Sequence, residues 1–68
     1  MEKIKIKTDY ITLGQFLKLV NAVDSGVVAK LVIQDGLVKV NDEIETRRGK
    51  KLYSGDQITF EDTTYIIE

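Results

Sequence analysis

Between Ser25 and Asp42 the spacing of apolar residues changes from that of a helix to that of a strand. Ala29, Val32 and Ile33 recur at intervals that put them on one helical face. Ser25 stands ahead of them, where its hydroxyl can accept from the free N–H groups of a first turn. Gly36 follows, where a left-handed C-terminal cap is wanted. In Leu37-Val38-Lys39-Val40 the period falls to two, with Val38 and Val40 on one side and Lys39 on the other. Asn41-Asp42 then suits the backbone angles of a hairpin turn.

The flanking segments are read the same way. Residues 3–7, Lys-Ile-Lys-Ile-Lys, alternate strictly and predict a strand with Ile4 and Ile6 inward and a lysine-guarded edge. Thr12-Leu13-Gly14-Gln15 has the form of a capping box, and Leu13, Phe16, Leu17 and Val20 continue it as one buried stripe. That helix fades near Asn21, and 21–24 form a short joint before the second helix. Gly14 in the first turn costs about 1 kcal/mol against alanine, so it answers a packing or backbone-approach need. Glu43-Ile44-Glu45 can pair back as the second strand of a hairpin, and Thr46–Lys51 is a basic loop containing Gly49. After a turn at Gly55-Asp56, Gln57–Phe60 and Thr64–Ile67 alternate on either side of a turn at Glu61-Asp62. The expected architecture is α+β, two short helices packed on a small, mostly antiparallel sheet, in one domain over residues 1–68.

Composition narrows the chemistry. The chain has neither cysteine nor histidine, so disulfides and the usual zinc ligands are excluded, and no metal or cofactor is expected. No apolar run reaches the length of a membrane span, and the expected location is the cytoplasm. The net charge of −1 hides a polarised distribution. From Leu52 onward there are four acids and no base, whereas residues 1–51 carry all ten bases against seven acids. Arg47, Arg48, Lys50 and Lys51 crowd into five positions.

Catalysis has no support: there is no histidine base, no thiol, no paired carboxylates and no phosphate-loop pattern, so the chain is not expected to be an enzyme or to take a small-molecule substrate. A polyanion-binding surface has three candidate parts. The second helix opens at Ser25-Gly26, where unpaired N–H groups favour an anion and Gly26 allows close approach, although Asp24 opposes it. Lys30 lies one turn along the polar face expected for that helix, and Lys18 on the first helix can join it. The Arg47–Lys51 cluster supplies guanidinium forks and flexible ammonium groups for phosphate oxygens. Lys39 and Asn41 are rim candidates, and Tyr53 can either stack on an unpaired base or pack beneath the loop. Each part also has a plainer reading, as a solvated helix face, a simple cap or solvated loop charges.

Leu13 and Leu17, then Ser25, Ala29, Val32, Ile33, Gly36, Val38, Val40 and Asn41, then Gly55, Asp56 and Ile58 stand at spacings that resemble the RNA-binding domain named after ribosomal protein S-four. The resemblance covers about residues 11–60, and with Ser25-Gly26 and Glu45-Thr46-Arg47-Arg48 it is nearest to the small stand-alone YaaA/YbcJ-like group. It implies an αL-type RNA-binding motif and, as partner, structured RNA, with ribosomal RNA, a ribosomal subunit or a ribosome-assembly intermediate as the expected kind. Many members of the family carry a basic residue where Thr12 stands, an acid at Gly14 and an arginine at Gly26; this chain departs from all three. The competing expectation is a protein-interaction module using the acidic C-terminal part or an edge strand. A ubiquitin-like carrier is disfavoured by the ending Ile66-Ile67-Glu68, which lacks a terminal di-glycine.

Overall fold

Two helices form where the apolar periodicity places them in a computed structural model, which describes residues 1–68: α1 (Leu13–Leu19) and α2 (Gly26–Gln34). At the start of α1 the Thr12 N–H donates to Gln15 Oε1 at 3.4 Å, the returning half of a capping box. At the start of α2 the Val28 N–H donates to Ser25 Oγ at 3.3 Å. Both helices end in the same way. Asn21 takes φ +60°, and the amides of Asn21 and Ala22 return to the carbonyls of Lys18 and Leu17. Gly36 takes φ +76°, and the amides of Gly36 and Leu37 return to Ile33 and Val32. These are Schellman closures, in which one left-handed residue turns the chain away while the last carbonyls stay satisfied.

Seven short strands accompany the helices: β1 (Glu2–Ile4), β2 (Ile11–Thr12), β3 (Val38–Val40), β4 (Glu43–Ile44), β5 (Lys51–Leu52), β6 (Gln57–Phe60) and β7 (Thr63–Ile67). Five of them make one sheet in the order β1-β7-β6-β3-β4, and β2 pairs with β5 in a separate ribbon. Every pairing is antiparallel except β1 with β7, which is parallel. The architecture is thus α+β with a mixed, mostly antiparallel sheet. The β3–β4 hairpin turns through Asn41 and Asp42 at φ +51° and +69°, the paired left-handed conformation of a two-residue loop.

Two expectations change. The alternation over residues 3–7 yields a strand only as far as Ile4, which pairs with Ile67 and accepts from the Glu68 N–H at 2.9 Å. Beyond that point no neighbouring strand continues, and Ile6 tucks against the core instead. The outward face of α2, expected to be polar, exposes Val27, Val28 and Leu31 beside Lys30. A helix with only one charge in nine residues cannot cover its solvent side with polar groups.

The sheet's inner face, Val38, Val40, Ile58, Phe60, Tyr65 and Ile67, packs against Leu13, Phe16 and Leu17 of α1 and Ala29 and Ile33 of α2. Phe16 meets the Tyr65 ring nearly edge-on, with centroids 5.5 Å apart. No helix is long and apolar enough to cross a membrane.

Candidate nucleic-acid interface

The basic loop is fastened on two sides. On one side, the Glu45 N–H donates to the Val38 carbonyl at 3.0 Å, which ties the loop to β3. The Glu45 carboxylate takes three bonds from Arg47: Nε at 3.0 Å, Nη2 at 3.1 Å and the backbone N–H at 3.0 Å. The hydrogen-bonded Arg47 guanidinium holds the Glu45 carboxyl down at about 2, against its ordinary 4.5. On the other side, the carbonyls of Lys50 and Arg48 accept from the amides of Leu13 and Gly14 at 2.9 and 3.0 Å. These amides open α1 and have no partner within the helix, so the loop caps the helix with its own backbone. The side chains of Arg48, Lys50 and Lys51 make no ion pair; Arg47 with Glu45 is the single salt bridge.

A cleft of about 200 Å³ lies where this loop meets both helices, lined by Thr12, Gly14, Gln15, Lys18, Gly26, Ala29, Arg48 and Gly49. Its lining contains two cations and no acid. Glycine shapes the floor twice. A Cβ on Gly14 would stand 2.7 Å from Arg48 Cγ, so the arginine crosses the helix at a point open only to glycine. A Cβ on Gly26 would stand 3.9 Å from Lys18 Nζ, which brings the lysine of α1 over the first residue of α2. Val28 and Ala29 donate to Ser25, leaving the amides of Gly26 and Val27 without a partner in the protein at the positive end of α2.

A second, shallower opening continues from the first around Gly49, which borders both, and is lined by Arg47, Gly49, Lys50, Lys51 and Tyr53. Here the β2–β5 ribbon presents its outer side. Ile11 pairs with Leu52, and one step further along this register Tyr10 lies beside Tyr53, with ring centroids 6.0 Å apart and planes tilted by 47°. Lys51 Nζ sits 4.8 Å from the Tyr10 centroid, within cation–π range. Tyr53 is half-exposed rather than packed beneath the loop. Tyr10 was not singled out from the sequence. No local pattern marks it, because its neighbours arise from pairing between segments far apart in the chain.

The structure therefore brings Lys18, Gly26 and Arg48 together around one cleft, with Lys50 and Lys51 beside it. Ser25 adjoins this group, but its Oγ is occupied as the cap of α2. Lys30 is exposed on α2 and does not line the cleft. Lys39 stands on the outer face of β3, opposite Thr59 in the register. Asn41 uses its side chain internally: Nδ2 donates to Asp56 Oδ1 at 3.1 Å and Oδ1 accepts from the Gln57 N–H at 3.0 Å. Asp56 in turn accepts from the Tyr53 N–H at 2.8 Å, so this pair locks two turns to each other. Asn41 and Arg47 also border a third opening, which contains Glu43 and Glu45.

A helix pair on a mixed sheet, with a cationic loop sewn to the start of the first helix, defines a small α+β domain of the αL-motif class. The S4 domain family model matches residues 4–68, and the chain belongs to that family. The match extends beyond residues 11–60 at both ends and takes in β7 whole, but of β1 only its last residue, Ile4. The chain is 52% identical over 58 residues to a probable ribosome maturation protein, RlbA, of Bacillus subtilis, covering 85% of this chain and 82% of that protein. It is 37% identical over 54 residues to the putative RNA-binding protein YbcJ of Escherichia coli, covering 79% of this chain and 77% of that protein. The solution structure of Escherichia coli YbcJ, described as carrying an αL motif involved in RNA binding, superposes with a TM-score of 0.73. That likeness covers 98% of this chain and 86% of YbcJ at 31% identity.

Proposed function

We propose that this protein is a non-catalytic binder of structured RNA, acting on ribosomal RNA or a ribosome-assembly intermediate in the cytoplasm. One observation carries the reading: the cleft in which Lys18 and Arg48 converge on a glycine floor with no acid in its lining. A phosphate entering it meets the Lys18 ammonium, the Arg48 guanidinium and the first residue of α2, Gly26, whose amide is unpaired and which has no side chain to hold it off. Lys50 and Lys51 extend the positive surface along the path a backbone would take. Contacts of this kind go to phosphate and sugar and read the shape of a folded RNA. The names of the two relatives, one a ribosome maturation protein and one an RNA-binding protein, agree with this assignment.

The test is fluorescence anisotropy with fragments of structured ribosomal RNA. Lys18→Glu and Arg48→Glu are each expected to weaken binding about tenfold or more, as expected for loss of a charge-assisted hydrogen bond. Arg47→Glu is expected to cost less, because the guanidinium is already held by Glu45. Undiminished affinity in the Lys18→Glu, Arg48→Glu double variant, with a native circular dichroism spectrum, would rule out the cleft as the binding site.

A further inference from the structure

The Tyr10–Tyr53 shelf beside the cleft remains unexplained by phosphate binding. The chain has five aromatic residues. Phe16, Phe60 and Tyr65 are buried in the core, whereas Tyr10 and Tyr53 lie side by side on the surface at 41% and 49% exposure. At 6.0 Å and 47° the two rings do not stack flat on each other, so neither covers the other's face. Lys51 Nζ lies over one face of the Tyr10 ring, where its flexible stem lets it swing aside for a base and pair with the phosphate, and Arg47 and Lys50 border the adjoining opening. No acid lines that opening, and Gly49 joins it to the phosphate cleft. An aromatic surface rimmed by cations suits a group that is flat and apolar on its face and anionic along its edge. An unpaired nucleotide has that character.

We infer that Tyr10 and Tyr53 form a stacking site for an unpaired base, so that the protein recognises a structured RNA at a bulge or loop next to a stem. This inference rests on the RNA-binding reading above and refines it. The phosphates of the stem occupy the Lys18–Arg48 cleft, and the nucleotide splayed from it lies on the tyrosines, with its own phosphate near Lys50 and Lys51. Proteins read single-stranded and bulged RNA in this way because every base has a π-face that stacks on an aromatic ring whatever its sequence. The site therefore confers a preference for an unpaired position and little preference among bases.

The experiment compares two RNA hairpins that differ only in one bulged 2-aminopurine nucleotide in the stem. The wild-type protein is expected to bind the bulged hairpin about tenfold more tightly and to quench its fluorescence, in line with the usual gain from stacking one base. Tyr10→Leu, Tyr53→Leu should bind both hairpins equally, with no quenching, whereas Tyr10→Phe, Tyr53→Phe should keep the preference because the rings remain. Arg48→Glu should weaken both hairpins alike and leave their ratio unchanged. Equal wild-type affinity for the two hairpins, or a preference that survives in the folded leucine variant, overturns the stacking site while leaving RNA binding intact. Failure of the wild type to bind either hairpin overturns the RNA-binding reading and the stacking site with it.

Discussion

Gly14 and Arg48 occupy each other's space. The 2.7 Å separation between a hypothetical Gly14 Cβ and Arg48 Cγ leaves no room for alanine, while the Gly14 N–H holds the Arg48 carbonyl at 3.0 Å. Gly14→Ala gains helix propensity worth about 1 kcal/mol. It also forces aside a side chain whose backbone is fixed, and overpacking of this sort costs about 1–3 kcal/mol. The expected balance is a net loss of up to about 2 kcal/mol in chemical denaturation, with a fall in RNA affinity because Arg48 no longer crosses the cleft. A more stable Gly14→Ala variant with full affinity would mean that the arginine moves away freely. From sequence, the glycine could be recognised as answering some close approach, but the residue approaching it lies on a distant loop.

Loop 45–50 behaves as an element although it has no regular structure, because Glu45 and the start of α1 hold it from opposite sides. Glu45 titrates in the folded protein at about 2 rather than 4.5. A carboxyl whose pKa is lowered by folding stabilises the native state fully above its unfolded value, and that contribution fades as pH falls from about 4.5 towards 2. The difference in urea midpoint between wild type and Glu45→Gln is therefore expected to be constant near neutrality and to shrink across that acid window. A difference independent of pH would show that the ion pair adds nothing. At this scale the sequence was informative where chemistry is local. Ser25, Gly36 and Asn41-Asp42 announce a cap, a stop and a turn within a few residues of where each acts. The ribbon of β2 and β5 is two residues a side, too short for any periodicity to register, and its partners meet only once the chain has folded. Tyr10 is silent in the sequence for the same reason, whereas Glu45 and Arg47 stand only two positions apart, where an ion pair is a local matter.

The whole molecule measures 26 × 20 × 18 Å, and its net charge of −1 conceals a face on which Lys18, Arg48, Lys50 and Lys51 are free of ion pairs. If each displaces about one counterion, the logarithm of RNA affinity should fall with the logarithm of salt concentration at a slope of about −3. A nearly flat dependence, measured by titration at several potassium chloride concentrations, would point to apolar contacts in place of phosphates. The fold class was legible at this scale because alternating strands and two amphipathic helices leave few ways to enclose a core. The parallel docking of β1 was not, since Lys-Ile-Lys-Ile-Lys specifies a strand without naming its neighbour.

That docking affects how the domain folds. β1 pairs with β7, so its native neighbour lies at the far side of the domain in sequence, beyond both helices and the other strands. Contacts this distant in sequence slow folding, since the intervening chain must be closed before they can form. During the wait Ile4 and Ile6 would make an adhesive strand, and Lys3, Lys5 and Lys7 give every second position a charge that repels other copies in the same state. Charges at these positions guard an unpaired strand edge, and they lie apart from the cations that line the cleft.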